Sequence, residues 1–195
     1  MLDEKRIEII KKNVERLIKE ELIIRVKEDK GRFTEFFLKN SRDSLESAKL
    51  LLNVSTKAEL KALMGIPGFN GFLWTINASY YSMFYMARAL LENAGIKIKT
   101  ELSVHSIVFD ALVCYFYLTG KIEKSIIEEF NEAEEEANEI LGKEKAKGLI
   151  EDYFHEKDKR GKFTYEMGAI VMQNKAQTSL ERAKRFNEEI RKIID

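Results

Sequence analysis

Residues 70–95, NGFLWTINASYYSMFYMARALLENAG, constrain this chain more than any other stretch. They contain no proline and, after Gly71, no interior glycine. Asn70 can accept a hydrogen bond from a free backbone N–H of a first helical turn, and Gly95 tolerates the left-handed conformation that ends a helix. Apolar residues recur at Leu73, Ile76, Tyr80, Phe84, Ala87 and Leu91, and again at Trp74, Ala78, Tyr81, Tyr85 and Ala89. Two adjoining stripes at helical spacing predict a core helix touched by neighbours on most sides. Each large side chain buried there stabilises the fold by roughly 1.5–3 kcal/mol.

The remaining segments read as partners for that helix. Residues 3–27 present Ile7, Ile10, Val14, Leu17, Ile18 and Leu22 on one helical face, and 27–31 breaks it. A second helix runs from Thr34 to Asn53. Thr56 and Glu59 have capping-box spacing for a short helix ending near Met64. Residues 96–102 read as an extended connection whose alternation also fits a short strand. Ser103 can cap a helix that stops at Gly120. Residues 122–141 are strongly helical, with Gly142 ending or kinking them, and 143–158 form a more polar helix. Residues 160–173 read as irregular or broken. Asn174 and Gln177 then open a last helix with Ala176, Leu180, Ala183, Phe186, Ile190 and Ile193 on one side. The fold class is all-α: an antiparallel up-and-down helical bundle, a four-helix core with extra helices, in one domain over 1–195.

Charge and composition limit the function. Lys+Arg and Asp+Glu both number 33, so no global field recruits nucleic acid or an anionic membrane, and any such site is a local patch. The single cysteine, Cys114, forms no internal disulfide, which suits a reducing compartment. No signal-peptide pattern and no run of 18 apolar residues is present, so the expected location is cytoplasmic with no membrane contact.

Candidate chemistry is sparse. His105, near a helix start, can take a proton near neutral pH or serve as a hydrogen-bonded structural group. His155 lies in a charged helix. Cys114, His105 and His155 show no metal-ligand spacing, so no metal and no cofactor is expected. The acids between Glu128 and Glu139 point to several sides of their helix and read as a solvated face. Asn77 and Ser79 are polar on a mostly apolar helix, and each needs either a helix–helix hydrogen bond or a lined groove. Arg160, flanked by Lys157, Lys159 and Lys162 and five residues before Tyr165, can grip phosphate bidentately or sit in a surface loop paired to Asp158 or Glu156. No phosphate-loop, dinucleotide or serine-nucleophile motif occurs.

Residues 78–96, ASYYSMFYMARALLENAGI, resemble the tyrosine- and alanine-rich second core helix of HEPN-domain proteins. The similarity continues through His105, Leu118-Thr119-Gly120, Arg160 to Tyr165, and Leu180, Ala183, Phe186 and Ile190. It covers 34–195 in pieces, with 1–30 as an accessory helix and a helical insertion near 121–155. The resemblance implies a homodimer. Many relatives are metal-independent ribonucleases, often toxins paired with a nucleotidyltransferase-like antitoxin, whose motif is Arg, four to six residues, then His. Here Arg160 matches, but Tyr165 stands where histidine is expected, followed by Glu166 and Met167. A phenol, with a pKa near 10 against about 6.5 for imidazole, is a poor base at neutral pH.

The expected function is therefore a non-catalytic HEPN-like module. It would bind nucleotide, RNA phosphate or a nucleotidyltransferase-like partner around Arg160 and Tyr165, with His105 and Lys162 as further contacts and no catalytic residue assigned. The alternatives are an active endoribonuclease in which His105 or Tyr165 replaces the missing histidine, and a structural dimerisation bundle using the Glu-rich helix.

Overall fold

Four long helices carry the apolar faces read from the sequence, and they close around one another. The computed structural model describes residues 2–28, 30–100, 102–145 and 162–195, with side chains described up to 139 and again from 170. In chain order the elements are α1 (Glu4–Lys19), β1 (Ile23–Arg25), α2 (Thr34–Thr56), α3 (Ala58–Leu63), α4 (Phe72–Asn93), β2 (Ile96–Ile98), α5 (Val104–Leu112) with a π turn over Val113–Tyr117, α6 (Lys124–Lys145) and α7 (Lys162–Ile194).

The core helices α2, α4, α6 and α7 alternate in direction. Ser41 meets Ser82, and Ser55 meets Gly71, so α2 and α4 are antiparallel. Glu129 meets Arg185, and Glu136 meets Ser179, so α6 and α7 are antiparallel too. Alternation makes α4 and α7 parallel. They pack closely because small residues lie between them: Ala176 sits against Phe72 and Ile76, and Ser82 meets Asn187. Phe130 and Phe186, both fully buried, stack with ring centroids 5.2 Å apart and tie α6 to α7. The fold is all-α with a bundle core, as the periodicity predicts.

Gly95 ends α4 at φ +75°, and a Cβ there would run into the carbonyl oxygen of Val26. That close approach lets β1 pair antiparallel with β2, Ile23 opposite Ile98 and Arg25 opposite Ile96. The same pairing corrects the first helix, which stops at Lys19 and not near residue 27. Glu21 turns at φ 56°, and the β-branched run that follows joins a ribbon. Residues 96–98 take the strand option left open by their alternation.

Other boundaries also move. The Thr56 hydroxyl donates to the carbonyls of Leu52 and Asn53 in its own helix, so the capping box does not form. Helix α6 runs through Gly142 to Lys145, and α7 is continuous from Lys162, so 162–173 is not broken and Asn174 lies mid-helix. Ser103 does stand at the start of α5, but in the left-handed region and without a side-chain cap. Asn70 accepts from the N–H of Phe72 at 3.2 Å, as expected. Among the described residues no helix is long and apolar enough to cross a membrane.

Candidate functional site

The inner side of α4 is packed as expected, but its outer side is not. Trp74 is 53% exposed and Leu73 41% exposed, while Tyr81 and Tyr85 are half-buried. Small side chains at Ser44 on α2 and Ala78 on α4 leave a gap between the helices there. The result is a groove of about 470 Å³ lined by Ser44, Leu51, Trp74, Asn77, Ala78, Tyr81 and Tyr85. Trp74 and Tyr81 lie one turn to either side of Asn77, on the same helix face. The Tyr81 and Tyr85 rings follow one another with centroids 6.1 Å apart.

The two polar residues of α4 resolve differently. Ser79 is buried and donates to the Thr75 carbonyl at 2.8 Å. Asn77 borders the groove, and its buried Oδ1 has no hydrogen-bond partner among the described residues. Such an orphan acceptor costs of order 1–3 kcal/mol.

On α5, outside the groove lining, His105 stands beside Tyr81 and Phe84, with ring centroids 5.8 and 4.3 Å away. Its Nδ1 lies 2.7 Å from the Tyr80 hydroxyl. Burial first, and then the Arg88 charge, hold the imidazole below its ordinary pKa, so it is neutral at pH 7. Burial drives the Tyr80 phenol well above its ordinary value. The phenol proton has no other acceptor among the described residues, so Tyr80 donates and Nδ1 accepts. The imidazole proton then sits on Nε2, and its basic lone pair is already engaged.

The α4 surface becomes cationic further along. The Arg88 guanidinium lies 4.7 Å over the Phe37 ring. Glu92, 5% exposed, accepts from the Phe33 N–H and faces Lys97 at 3.8 Å. Lys97 and Arg32 both lie over the Phe33 ring.

The expected site residues are only partly brought into view. His105 is described; it touches the Tyr81 ring but does not line the groove. Arg160 and His155 lie outside the described residues. Lys162 and Tyr165 open α7, and their side chains also lie outside the described ones. Tyr165 is eleven residues ahead of Ala176, which packs on Ile76, one turn before Tyr80. At 1.5 Å per residue, the Tyr165 backbone lies about 20 Å along the bundle axis from the level of His105 in the same chain. The aromatic groove residues Trp74, Tyr81 and Tyr85 escaped the sequence reading because they fit a core stripe, whereas Asn77 takes the lined-groove option left open for it. The available signal was an amide between two large aromatics on one helix face.

The acid run is a solvated face only in part: Glu132, Glu135 and Glu139 are exposed, while Glu128, Glu129, Glu134 and Glu136 are partly covered. Glu128 accepts from the Leu2 N–H. Glu129 pairs with Arg185 at 2.8 Å, and Arg182 bridges Glu132 and Glu136. Glu134 turns inward toward Asp110, which is 8% exposed and accepts from the Asn13 amide. Burial raises the pKa of both carboxyls; Asp110 adds to the effect at Glu134, while Arg6 opposes it at each. Burial also pushes the Cys114 thiol up to about 11, so it is not a ready nucleophile. Among the described residues no three His, Cys, Asp or Glu side chains converge as metal ligands.

In comparisons with known proteins, the chain matches no family model, no curated protein and no solved structure.

Proposed function

We propose that this chain is a HEPN-like bundle that binds nucleotide or single-stranded RNA without cleaving it. The observation that carries the reading is the open strip of rings on α4. Folding leaves Trp74, Tyr81 and Tyr85 facing a groove. Flat rings beside a cationic end suit unstacked bases and a phosphate chain. The resemblance of residues 78–96 to HEPN proteins supports the same reading, and it brings Arg160, Lys162 and Tyr165 as phosphate contacts and a homodimer as the assembly.

The state of His105 supports binding over catalysis. A general base needs a free lone pair within reach of the proton that it abstracts. Here Nδ1 is engaged by Tyr80, and the other ring nitrogen is a donor. Such an imidazole can hydrogen-bond a phosphate or a base edge.

The experiment is a pair of measurements on the full chain: binding of single-stranded RNA oligomers at low salt, where phosphate contacts are strongest, and their integrity after long incubation without metal. Binding with intact RNA is expected, weakened by Arg160→Ala. RNA cleavage that Arg160→Ala abolishes would make the protein a ribonuclease. Failure to bind any oligomer or nucleotide would leave only a structural bundle.

A further inference from the structure

His105 is boxed by rings of α4. Tyr80, Tyr81 and Phe84 lie with centroids 5.6, 5.8 and 4.3 Å from its own. Burial disfavours a charge there, but aromatic faces can hold a cation. The imidazole is only half-buried, so solvent protons reach it. Nε2 already carries hydrogen, and an arriving proton therefore binds Nδ1, where the Tyr80 hydroxyl donates at 2.7 Å. Two donors cannot share that contact. The phenol must turn, so that its oxygen accepts from Nδ1–H and its hydrogen finds a new acceptor. Glu134 suits that part. It lies one turn after Phe130, on which the Tyr80 ring stacks, and its charge acts on the phenol. Its carboxyl makes no hydrogen bond to a described residue.

We propose that His105, Tyr80 and Glu134 form a proton switch behind the groove: on acidification the bond between Nδ1 and Tyr80 reverses, the phenol donates to Glu134, and an imidazolium stands behind the groove wall at Tyr81. The other charged groups around it are Arg88 on α4, which opposes the imidazolium, and Asp110 on α5 and Glu135, which act on Glu134 against Arg6 of α1. The switch stands apart from the RNA reading. Only its effect on a ligand rests on that reading: an anion on the strip binds more tightly once the imidazolium forms.

The test follows the His105 ring of the full chain by NMR against pH, with His155→Gln removing the only other imidazole. One titration centred below about pH 6.5 is expected. A phenol fixed as donor favours the neutral ring, and its loss would raise that midpoint. A phenol that turns favours the imidazolium through a charge-assisted bond, so Tyr80→Phe is expected to lower the midpoint by about half a pH unit or more. Glu134→Leu removes the new acceptor and should lower it similarly, but not in the Tyr80→Phe background, because Glu134 acts on His105 only through the phenol. The remaining resonances show whether each variant is folded. A raised or unmoved midpoint in Tyr80→Phe, or a Glu134→Leu effect that persists without the phenol, overturns the switch. Affinity for a single-stranded RNA oligomer is then compared at about pH 7.5 and about pH 5.5. The gain on acidification is expected to be about threefold or more greater in the wild type than in His105→Gln. An equal gain overturns the link to the groove. RNA that binds at neither pH defeats the RNA reading, while the NMR midpoints still decide the switch.

Discussion

Along the inner side of α4, Ser82 sits in a closed knot with Ser41 and Asn187, whereas along the outer side Asn77 carries a buried oxygen to which none of the described residues donates. Each serine hydroxyl in the knot donates to the other's carbonyl at 2.8 Å, and the Asn187 amide donates to the Ser82 hydroxyl at 2.7 Å. Asn187 Oδ1 is also without a partner among the described residues, but it is enclosed where α2, α4 and α7 meet. Asn77 borders a groove that something else can enter. The aromatic residues divide in the same way. Phe130 stacks on Phe186 and Tyr80 with no exposure, while Trp74 is half in solvent. One side of the helix is used up by folding, and the other keeps surface that folding does not bury.

The sharpest way to break this comparison is to damage the inner side. Phe130→Ala removes a fully buried ring from between Tyr80 and Phe186, and a cavity of that kind costs about 3–5 kcal/mol. Urea unfolding should show a large fall in midpoint, comparable with much of the stability of an ordinary domain. Asn187→Ala comes next. It takes one donor from Ser82 and a weaker one from Ser41 but leaves the reciprocal serine bonds, so a loss of about 1–3 kcal/mol is expected in the same assay.

A smaller effect, with a sign set by pH, comes from the carboxyls between α5 and α6. Glu134 and Asp110 have pKa values raised in the fold, chiefly by burial, so the unfolded chain ionises them first. Their contribution to stability is fully present below the ordinary carboxylate range, near pH 4, and is lost as pH rises through the folded values. His105, whose pKa is lowered, works the other way and loses its contribution as pH falls below about 6.5. Comparing Glu134→Gln with the parent at each pH isolates the carboxyl. The variant should gain in melting temperature relative to the parent as pH rises from about 4 to 7.

The inner side was the legible one. Ile76, Tyr80, Phe84, Ala87 and Leu91 are all buried on α4, as their spacing requires. Periodicity fixes which residues share a face but not whether a neighbour arrives to cover it. The stripe through Trp74, Tyr81 and Tyr85 therefore read as core, although α2 covers it only partly. Pairings distant in sequence were hidden for a related reason. Glu129, Glu132 and Glu136 find Arg185 and Arg182 about fifty positions away, on a helix packed alongside. Local signals misled where tertiary pairing overrode them. Leu22 to Val26 continues an apolar run but leaves the helix for a ribbon held against Gly95, and Asn174, a good starter in isolation, is the middle of a helix that began at Lys162.

The smallest stability effect expected is at Trp74, and its smallness is the point. Replacing a buried aromatic residue by alanine ordinarily costs several kcal/mol, and sequence periodicity alone would place Trp74 among such residues. With 53% of its surface in solvent and a groove beneath it, Trp74→Ala removes few packed contacts and should change unfolding free energy by no more than about 0.5 kcal/mol. Measured beside Phe130→Ala under identical conditions, the two substitutions should differ by several kcal/mol although both delete a large ring. A loss at Trp74 approaching that at Phe130 would mean that the outer strip is held as tightly as the interior. It would then have no surplus surface for a base, a peptide or a second copy of the chain. A negligible loss of stability with a tenfold loss of RNA affinity would assign the ring to recognition alone.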